Sequence, residues 1–258
     1  MTTSAGVQAR QRGIRPQSGK AFVLFKRYRL PWITGDYIPV GRYPFQLRLA
    51  TPGDLTRIIA LIDEASAWIR RAKNTDQWQR PWPDRVARDA RVRAGVVRGE
   101  TWIAWDDHTP MGTITIAAQA NPVVWSNLSP HCDLTEDAVY AHRLILARKY
   151  AGLGLGAELI DWAGLYGQRV FGARWLRVDV WRSNYELHEY YRDRGFLQCG
   201  SCADPGYPSG ALFQKPVMDI PESAFPRFAE TARAPVHALA TSRPARFGTV
   251  NVLCAEGY

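Results

Sequence analysis

Cysteine is scarce in this sequence, with four residues among 258, which is too few for a domain held together by disulfides. No apolar run approaches the roughly 18 residues that a membrane-spanning helix needs. The first residues, MTTSAGVQARQRG, lack the continuous apolar segment of a secretory signal. These absences argue against a disulfide scaffold and a membrane partner, and they predict a soluble, reduced, cytoplasmic protein.

Acidic residues are few at the N-terminal end, and this gives the chain much of its net charge of +9. Residues 1–44 contain eight basic side chains and one acid, whereas residues 45–218 are close to neutral. The basic charge therefore belongs to an arm, and a nucleic acid is not the predicted partner of the folded body. The first 20 residues have no apolar periodicity and are predicted to be disordered. Three roles stay open for the arm: docking, a mobile polybasic tail, or no structural role.

Residues 45–218 are periodic and predict one α/β domain around a mixed sheet, with N- and C-terminal extensions. The extension at 219–258 is broken by prolines, and one helical turn is expected near 223–232. The second helix is expected to bury Val86, Ala90 and Val97. The elements follow the order β-α-α-β-β-β-α-β-α-β-β, with strands at 45–50, 101–106, 111–117, 138–147, 175–181, 196–200 and 211–217 and helices at 55–69, 85–98, 155–170 and 184–194.

Three alternate glycines follow the apolar strand at 138–147 and lead directly into a helix. They are Gly152, Gly154 and Gly156. Glycine lets the backbone approach a ligand closely, and the positive end of the following helix favours a diphosphate there. The spacing fits neither a P-loop, which needs a Lys-Ser or Lys-Thr pair, nor the dinucleotide fingerprint GxGxxG. Taken alone, the glycines could also form a tight turn and nothing more.

The element order and two motifs resemble the GNAT family of acetyl-CoA-dependent N-acetyltransferases. In that family the pyrophosphate loop reads Gln/Arg-x-x-Gly-x-Gly/Ala. This sequence has Ala151 at the basic or amide position, which removes one side-chain contact to the phosphates. The second motif is Asn184 opening a helix that ends Tyr191-x-x-x-Gly-Phe196, although Asn184 would cap a helix in any protein and Tyr191 could be a core aromatic residue. The resemblance implies a GNAT-type mixed sheet flanked by helices.

The resemblance also implies a cosubstrate, acetyl-CoA, and the residues that bind it. The backbone N–H groups of the fourth strand would hold the acyl carbonyl and the pantetheine, and the glycine loop would hold the pyrophosphate. The implied binding residues are Leu144, Ile145, Leu146, Ala151, Gly152, Leu153, Gly154, Leu155, Gly156, Asn184 and Tyr191. No metal is expected.

Three residues are candidates for the proton transfers of amide formation. Tyr191, at the family's position, would protonate the departing sulfur. His142 is expected to be the general base, because a histidine titrates near neutrality, although it could simply be hydrogen-bonded within the sheet. Asp179 on the following strand is the rival for that role, or it orients the substrate ammonium. Asp63 and Glu64 are expected at the mouth of the acceptor site.

The acceptor is predicted to be a small primary amine, acetylated by direct attack in a ternary complex. No cysteine lies in the motifs to carry an acyl group, and Cys199-Gly-Ser-Cys202 lacks further ligands at a zinc spacing. Nine basic side chains between 69 and 98 form either a solvated face or a site for an anionic acceptor. A protein or aminoacyl-tRNA acceptor, a non-catalytic acyl-CoA-binding module and a homodimer stay open. An aromatic rim is expected from Trp68, Trp78, Trp82, Trp125 and Tyr207.

Overall fold

The computed structural model describes residues 45–130, 132–221, 224 and 227–230, all within one contact unit. The basic arm at 1–44 and residues 231–258 lie outside the described residues. The elements are β1 (Phe45–Leu49), α1 (Leu55–Ala72), α2 (Arg85–Val97), β2 (Thr101–Asp106), β3 (Thr109–Ala117), β4 (Ala138–Leu146), α3 (Leu155–Phe171), β5 (Trp175–Val180), α4 (Tyr185–Arg192), β6 (Leu197–Ser201), β7 (Ala211–Pro216) and β8 (Phe228–Glu230).

The strands form one mixed sheet in the order β6-β7-β5-β4-β3-β2-β1-β8. The pairs β4–β5 and β1–β8 are parallel, and the other neighbours are antiparallel. Helix α3 lies close against β4 because Gly167 has no side chain; a Cβ there would collide with Val139. The predicted α/β fold and its element order over 45–218 are confirmed. None of the helices in the described part of the chain is long and apolar enough to cross a membrane.

Strands β4 and β5 separate along their length. Their parallel register runs from Ala138 and Trp175 to Ala141 and Val178 and goes no further, although β4 continues to Leu146 and β5 to Val180. On its other edge, β4 carries a bulge where the register with β3 shifts between Thr113 and Thr115. A bulge bends a strand and redirects side chains. The residues of β4 just beyond Ala141 therefore face an opening in the sheet.

Two local predictions are wrong. Helix α2 exposes Val86, Ala90 and Val97 and buries Val92, Gly95 and Val96. The buried stripe continues at helical spacing to Arg88, whose guanidinium is paired with the carboxylates of Asp63 and Asp89. The segment expected to form a helical turn near 223–232 contains a strand, β8, which extends the sheet beyond residue 218 by pairing with β1.

Asp54 anchors the start of α1 against β1. Its buried carboxylate accepts two hydrogen bonds from Arg48, at 2.8 and 2.9 Å, and two from the backbone N–H and hydroxyl of Thr51, both at 2.8 Å. The hydrogen bonds from Arg48 lower the pKa of the Asp54 carboxyl against the opposing effect of burial.

Replacing Asp54 with asparagine is expected to lower the free energy of unfolding by about 2 kcal/mol at pH 7, because a charge-assisted pair is lost. A carboxyl whose pKa is depressed by folding stabilises the protein above its unfolded pKa of about 3.9 and loses that effect as pH falls toward the folded pKa. The difference in the free energy of unfolding between wild type and Asp54→Asn should therefore narrow below about pH 4. Urea unfolding at pH 7 and pH 3 measures this difference. The control is Asp107→Asn at an exposed position, which should have the same free energy of unfolding as wild type at both pH values.

Candidate active site

A deep cleft opens where β4 and β5 separate. Its lining combines the ends of these strands with side chains from α2, α4 and the loop before β7. The residues that matter for chemistry are His142, Arg143, Leu144, Ile145, Asp179, Tyr191 and Tyr207.

His142 and Asp179 meet across the opening. They are the first residues after the last registered pair of β4 and β5, Ala141 and Val178, so the divergence of the strands places their side chains at the same level. His142 Nδ1 lies 2.5 Å from Asp179 Oδ1. The His142 side chain keeps 24% of its surface exposed, whereas Asp179 keeps 7%. His142 and Asp179, the two alternative candidates for the general base, are therefore hydrogen-bonded to each other.

The carboxylate of Asp179 is held in its ionised form. Burial alone would raise its pKa, but the charge and hydrogen bond of His142, the hydroxyl of Tyr207 and the charge of Arg143 together lower it. Tyr207 donates to the second oxygen, Asp179 Oδ2, at 3.0 Å. An ionised carboxylate only accepts hydrogen bonds. Nδ1 of His142 therefore carries the proton in this pair, and the lone pair of a neutral imidazole resides on Nε2.

Tyr191 also lines the cleft. Its ring is packed against Tyr190, Phe196 and Phe213, and the residue is 8% exposed. Burial, followed by the nearby Tyr190 and the charge of Asp179, raises the pKa of the phenol. Within residues 45–130 and 132–221, no hydrogen-bond partner of the Tyr191 hydroxyl is found. The phenol is thus a protonated group with a free hydrogen-bonding capacity.

The glycine loop joins β4 to α3. Gly152 and Gly154 both have φ near +79°, a conformation that disfavours side chains, and Gly154 is the N-cap of α3. A Cβ placed on Gly156 would lie 3.5 Å from the hydroxyl of Tyr190 and 3.7 Å from Leu146 Cδ1. The loop therefore lies where β4, α3 and α4 converge. The first N–H groups of any α-helix lack partners within the helix, and such an end is suited to an anion.

The remaining predicted cosubstrate residues differ in their surroundings. Ile145 is buried and in register with Thr113, whereas Leu144 and Leu146 are half-buried. Leu144 and Ile145 line the cleft. The Asn184 side chain caps α4 by accepting from the Leu187 N–H at 3.1 Å and also donates to Gln77. The cap and the contact with Gln77 are structural roles, and the predicted contact of Asn184 with the cosubstrate stays a prediction.

Sequence reasoning missed a cation beside the glycine loop. Arg227, from the segment before β8, is ion-paired with Glu158 in the first turn of α3. One of its guanidinium nitrogens would lie 3.5 Å from a Cβ on Gly154. No sequence signal placed this residue there, because the contact depends on β8 joining the sheet. It brings a positive charge to the loop in which Ala151 replaces a basic or amide residue.

The predicted acceptor mouth is only partly present. Asp63 lines the cleft but is paired with Arg85 and Arg88, at 2.9 and 2.6 Å. Glu64 lies elsewhere and accepts from the Arg148 backbone N–H at 3.1 Å.

The predicted aromatic rim is smaller than expected. Trp78, Trp82 and Tyr207 line the cleft, and the rings of Trp82 and Tyr207 meet edge to face at 5.2 Å. Trp68 instead lies under the Arg148 guanidinium. Trp125 is 1% exposed and belongs to the core.

The three cysteines of the described residues are not part of the cleft lining. Cys132, Cys199 and Cys202 are buried free thiols, and burial raises the pKa of the Cys199 thiol. Among the residues that the structure describes, no group of three or more histidine, cysteine or acidic side chains is placed to hold a metal ion.

The sequence model of the acetyltransferase (GNAT) family matches residues 64–196, a range that contains β4, β5, the glycine loop and α4. The chain belongs to this family. It is 26% identical over 164 residues to the uncharacterized N-acetyltransferase YesJ of Bacillus subtilis (strain 168), which covers 64% of this chain and 86% of that protein.

Two solved structures share the fold. A GNAT acetyltransferase from Streptococcus agalactiae 2603 is 21% identical, with a TM-score of 0.52. The matched region covers 67% of this chain and 95% of that protein's chain. A second GNAT acetyltransferase, from Listeria monocytogenes 4b F2365, is 24% identical with a TM-score of 0.52. The matched region covers 67% of this chain and 94% of that protein's chain. The GNAT fold predicted from the motifs is confirmed, and the protein is an N-acetyltransferase.

Proposed function

We propose that this GNAT enzyme transfers an acetyl group from acetyl-CoA to the primary amine of a small molecule, by direct attack within a ternary complex in the cytoplasm. The observation that carries the proposal is the grouping of His142, Asp179 and Tyr191 in one cleft, at the point where β4 and β5 part. A proton acceptor and a proton donor thus face the same space.

The residues of this chain fit the cosubstrate. Gly152 and Gly154 leave the first turn of α3 without side chains in the way, and its N–H groups suit a pyrophosphate. Beyond Ala141 and Val178, β4 and β5 are no longer paired with each other. The backbone of Leu144–Leu146 on that edge is therefore available for the pantetheine. When bound, acetyl-CoA supplies the acetyl group as a reactive thioester.

The side chains of the cleft would move the protons. His142 Nε2 takes a proton from the acceptor nitrogen, directly or through water, while Asp179 stabilises the imidazolium through Nδ1–H. The hydroxyl of Tyr191 delivers a proton to the departing sulfur. No cysteine is found among the described residues that line the cleft, which favours direct transfer over an acyl-enzyme route.

The small size of the acceptor is inferred from the cleft walls. Trp78, Trp82 and Tyr207 line the cleft, with the Trp82 and Tyr207 rings packed edge to face, and α2 contributes further side chains. Such walls suit a compact amine more than an extended peptide.

The test is acetyl-CoA turnover over a panel of amines, with release of the free thiol followed in solution and the acetylated product identified by mass spectrometry. Thiol release that depends on an amine is the expected result. Acetyl-CoA binding without turnover on any amine would favour the non-catalytic acyl-CoA-binding module. Turnover limited to protein amino groups or aminoacyl-tRNA would replace the small-molecule acceptor.

The glycine loop gives a separate prediction on the cosubstrate. Gly154→Val puts a branched side chain at the entrance to α3, and we expect the affinity for CoA to fall more than tenfold, or about 1.4 kcal/mol. Valine at positive φ also costs about 1–3 kcal/mol of stability. The matched control is Gly172→Val at the other end of α3, where φ is +70° and no atom lies within 4 Å of the new Cβ.

Both variants should melt at a lower temperature than wild type, and only Gly154→Val should lose affinity in calorimetric titration with CoA. Equal CoA affinity in the two folded variants would remove the loop from the binding site.

A further inference from the structure

Arg143 is a half-buried cation in the cleft. It follows His142 in β4 and lines the same space. In the part of the chain that the structure describes, its guanidinium makes no hydrogen bond, ion pair or ring contact. Two other half-buried arginines of the described chain, Arg88 and Arg227, are paired with the carboxylates of Asp63 and Glu158. Five N–H donors of Arg143 are therefore unused, and burying a charge in this way is costly unless a ligand pairs with it.

The backbone explains why Arg143 points into the cleft. Successive side chains of a regular strand alternate between the two faces of the sheet, so His142 and its neighbour should face opposite ways. Arg143 instead has φ +50° and lies in the bulge of β4, where Thr113 pairs with Ile145 and Thr115 with His142. The bulge brings the imidazole and the guanidinium to the same side. A non-glycine residue at positive φ is uncommon and strained, and such strain concentrates at functional sites.

The groups around Arg143 leave a surplus of positive charge. Burial lowers the pKa of Arg143, the charge of Asp179 opposes this, and the charges of Arg91 and Arg98 lower it further. Asp179 is already shared between His142 and Tyr207, and Arg98 is paired with Glu100. Arg91 donates to the Trp82 carbonyl and lies over the Trp82 ring, with no carboxylate partner among the described residues. The acid beside Arg143, Asp179, is therefore already engaged, and the nearby Arg91 adds a second positive charge.

We propose that Arg143 binds an oxyanion, a carboxylate or a phosphate, that the acceptor carries in addition to its amine. This inference rests on the proposed acetyl transfer and narrows its acceptor to acidic amines. A planar guanidinium pairs with either oxyanion through two parallel hydrogen bonds. Because His142 and Arg143 are neighbours in β4 and line the same cleft, we expect the amine and the oxyanion to lie on one small molecule.

The test compares matched acceptors on the full-length protein with acetyl-CoA. One arm uses α- and ω-amino acids against their carboxamides, and the other uses phosphoethanolamine against ethanolamine. In the preferred pair, kcat/KM should be at least tenfold higher for the acid than for its neutral partner. Arg143→Gln should lower kcat/KM for the acid by about 10- to 100-fold and change that of the neutral partner less than threefold. Arg143→Lys should lie between the two.

Arg93→Gln, on the exposed side of α2, removes the same charge away from the cleft and should leave both values unchanged. Melting temperatures of all variants separate a folding defect from a loss of recognition. A preference in the carboxylate arm or the phosphate arm identifies the oxyanion. Equal or better turnover of the neutral amines, or an equal effect of Arg143→Gln on both members of a pair, would overturn the proposal.

The absence of turnover on every amine would instead overturn the proposed function. The anion site is then decided by calorimetry with the same acids in the presence of CoA. Binding that is lost in Arg143→Gln and kept in Arg93→Gln upholds the site, and the absence of binding to wild type rejects it.

Discussion

Replacing His142 with glutamine is expected to lower kcat/KM for amine acetylation about 100-fold or more at neutral pH, the scale of a lost general base. Glutamine keeps a polar side chain of moderate size beside Asp179 but cannot take up a proton. The loss should shrink as pH rises, because more of the acceptor is then present as free amine without help from the enzyme. Rates of thiol release between pH 6 and pH 10 measure this recovery, which a purely structural role of His142 would not produce.

Asp179→Asn tests the partnership by a different route. The asparagine amide would donate to Nδ1 of His142 and move the imidazole proton to Nε2. The nitrogen that faces the substrate amine would then be a donor and could not take up its proton. The fall in kcat/KM should match that of His142→Gln in order of magnitude, and the double variant should be little worse than either single one, because the residues act as a unit.

His108→Gln is the control for the histidine. It lies in the turn between β2 and β3, 3.6 Å from the carboxylate of Asp107, and its side chain is 96% exposed, so its replacement should leave the rate unchanged. A His142→Gln enzyme with the wild-type rate and pH profile would assign the base to water or to another residue.

Periodicity predicted the fold well where one face of an element is apolar and failed where polar residues are buried. In α2, the apolar residues Val86 and Val97 suggested the inner face. The buried face instead passes through Val92 and Val96 and continues to Arg88, which is paired with a carboxylate. Strand β8 has three residues in a segment broken by prolines, and its conformation is set by pairing with β1. A tertiary interaction of this kind leaves no local pattern to read.

The sequence pointed to individual candidate residues but not to how their side chains contact one another. The motifs pointed to Tyr191 and the glycine loop, because both have a fixed spacing along the chain. His142 and Asp179 are 37 residues apart, and only the register of β4 and β5 makes them partners. Arg143 was overlooked because alternation along the strand places it on the face opposite His142. The bulge that reverses this depends on the pairing of β3 with β4.

Replacing Tyr191 with phenylalanine is expected to lower kcat by up to about 100-fold, the low end for a general acid, because a CoA thiolate is already a fairly good leaving group. The ring keeps its packing against Phe196 and Phe213, and only the proton donor is lost. Acetyl-CoA affinity should change little, since a group that acts in the transition state moves the rate and leaves ground-state binding alone.

The stability of Tyr191→Phe distinguishes this role from simple packing. A buried tyrosine whose hydroxyl serves the core would lose about 1 kcal/mol on removal of its hydrogen bond, but the Tyr191 hydroxyl has no such partner among the described residues. The melting temperature should therefore stay at the wild-type value while kcat falls. Tyr185→Phe, at the exposed start of α4, should change neither. If Tyr191→Phe turns over at the full rate, the proton reaching the sulfur comes from solvent or another group, whereas a lower melting temperature at full rate would make the hydroxyl a structural one.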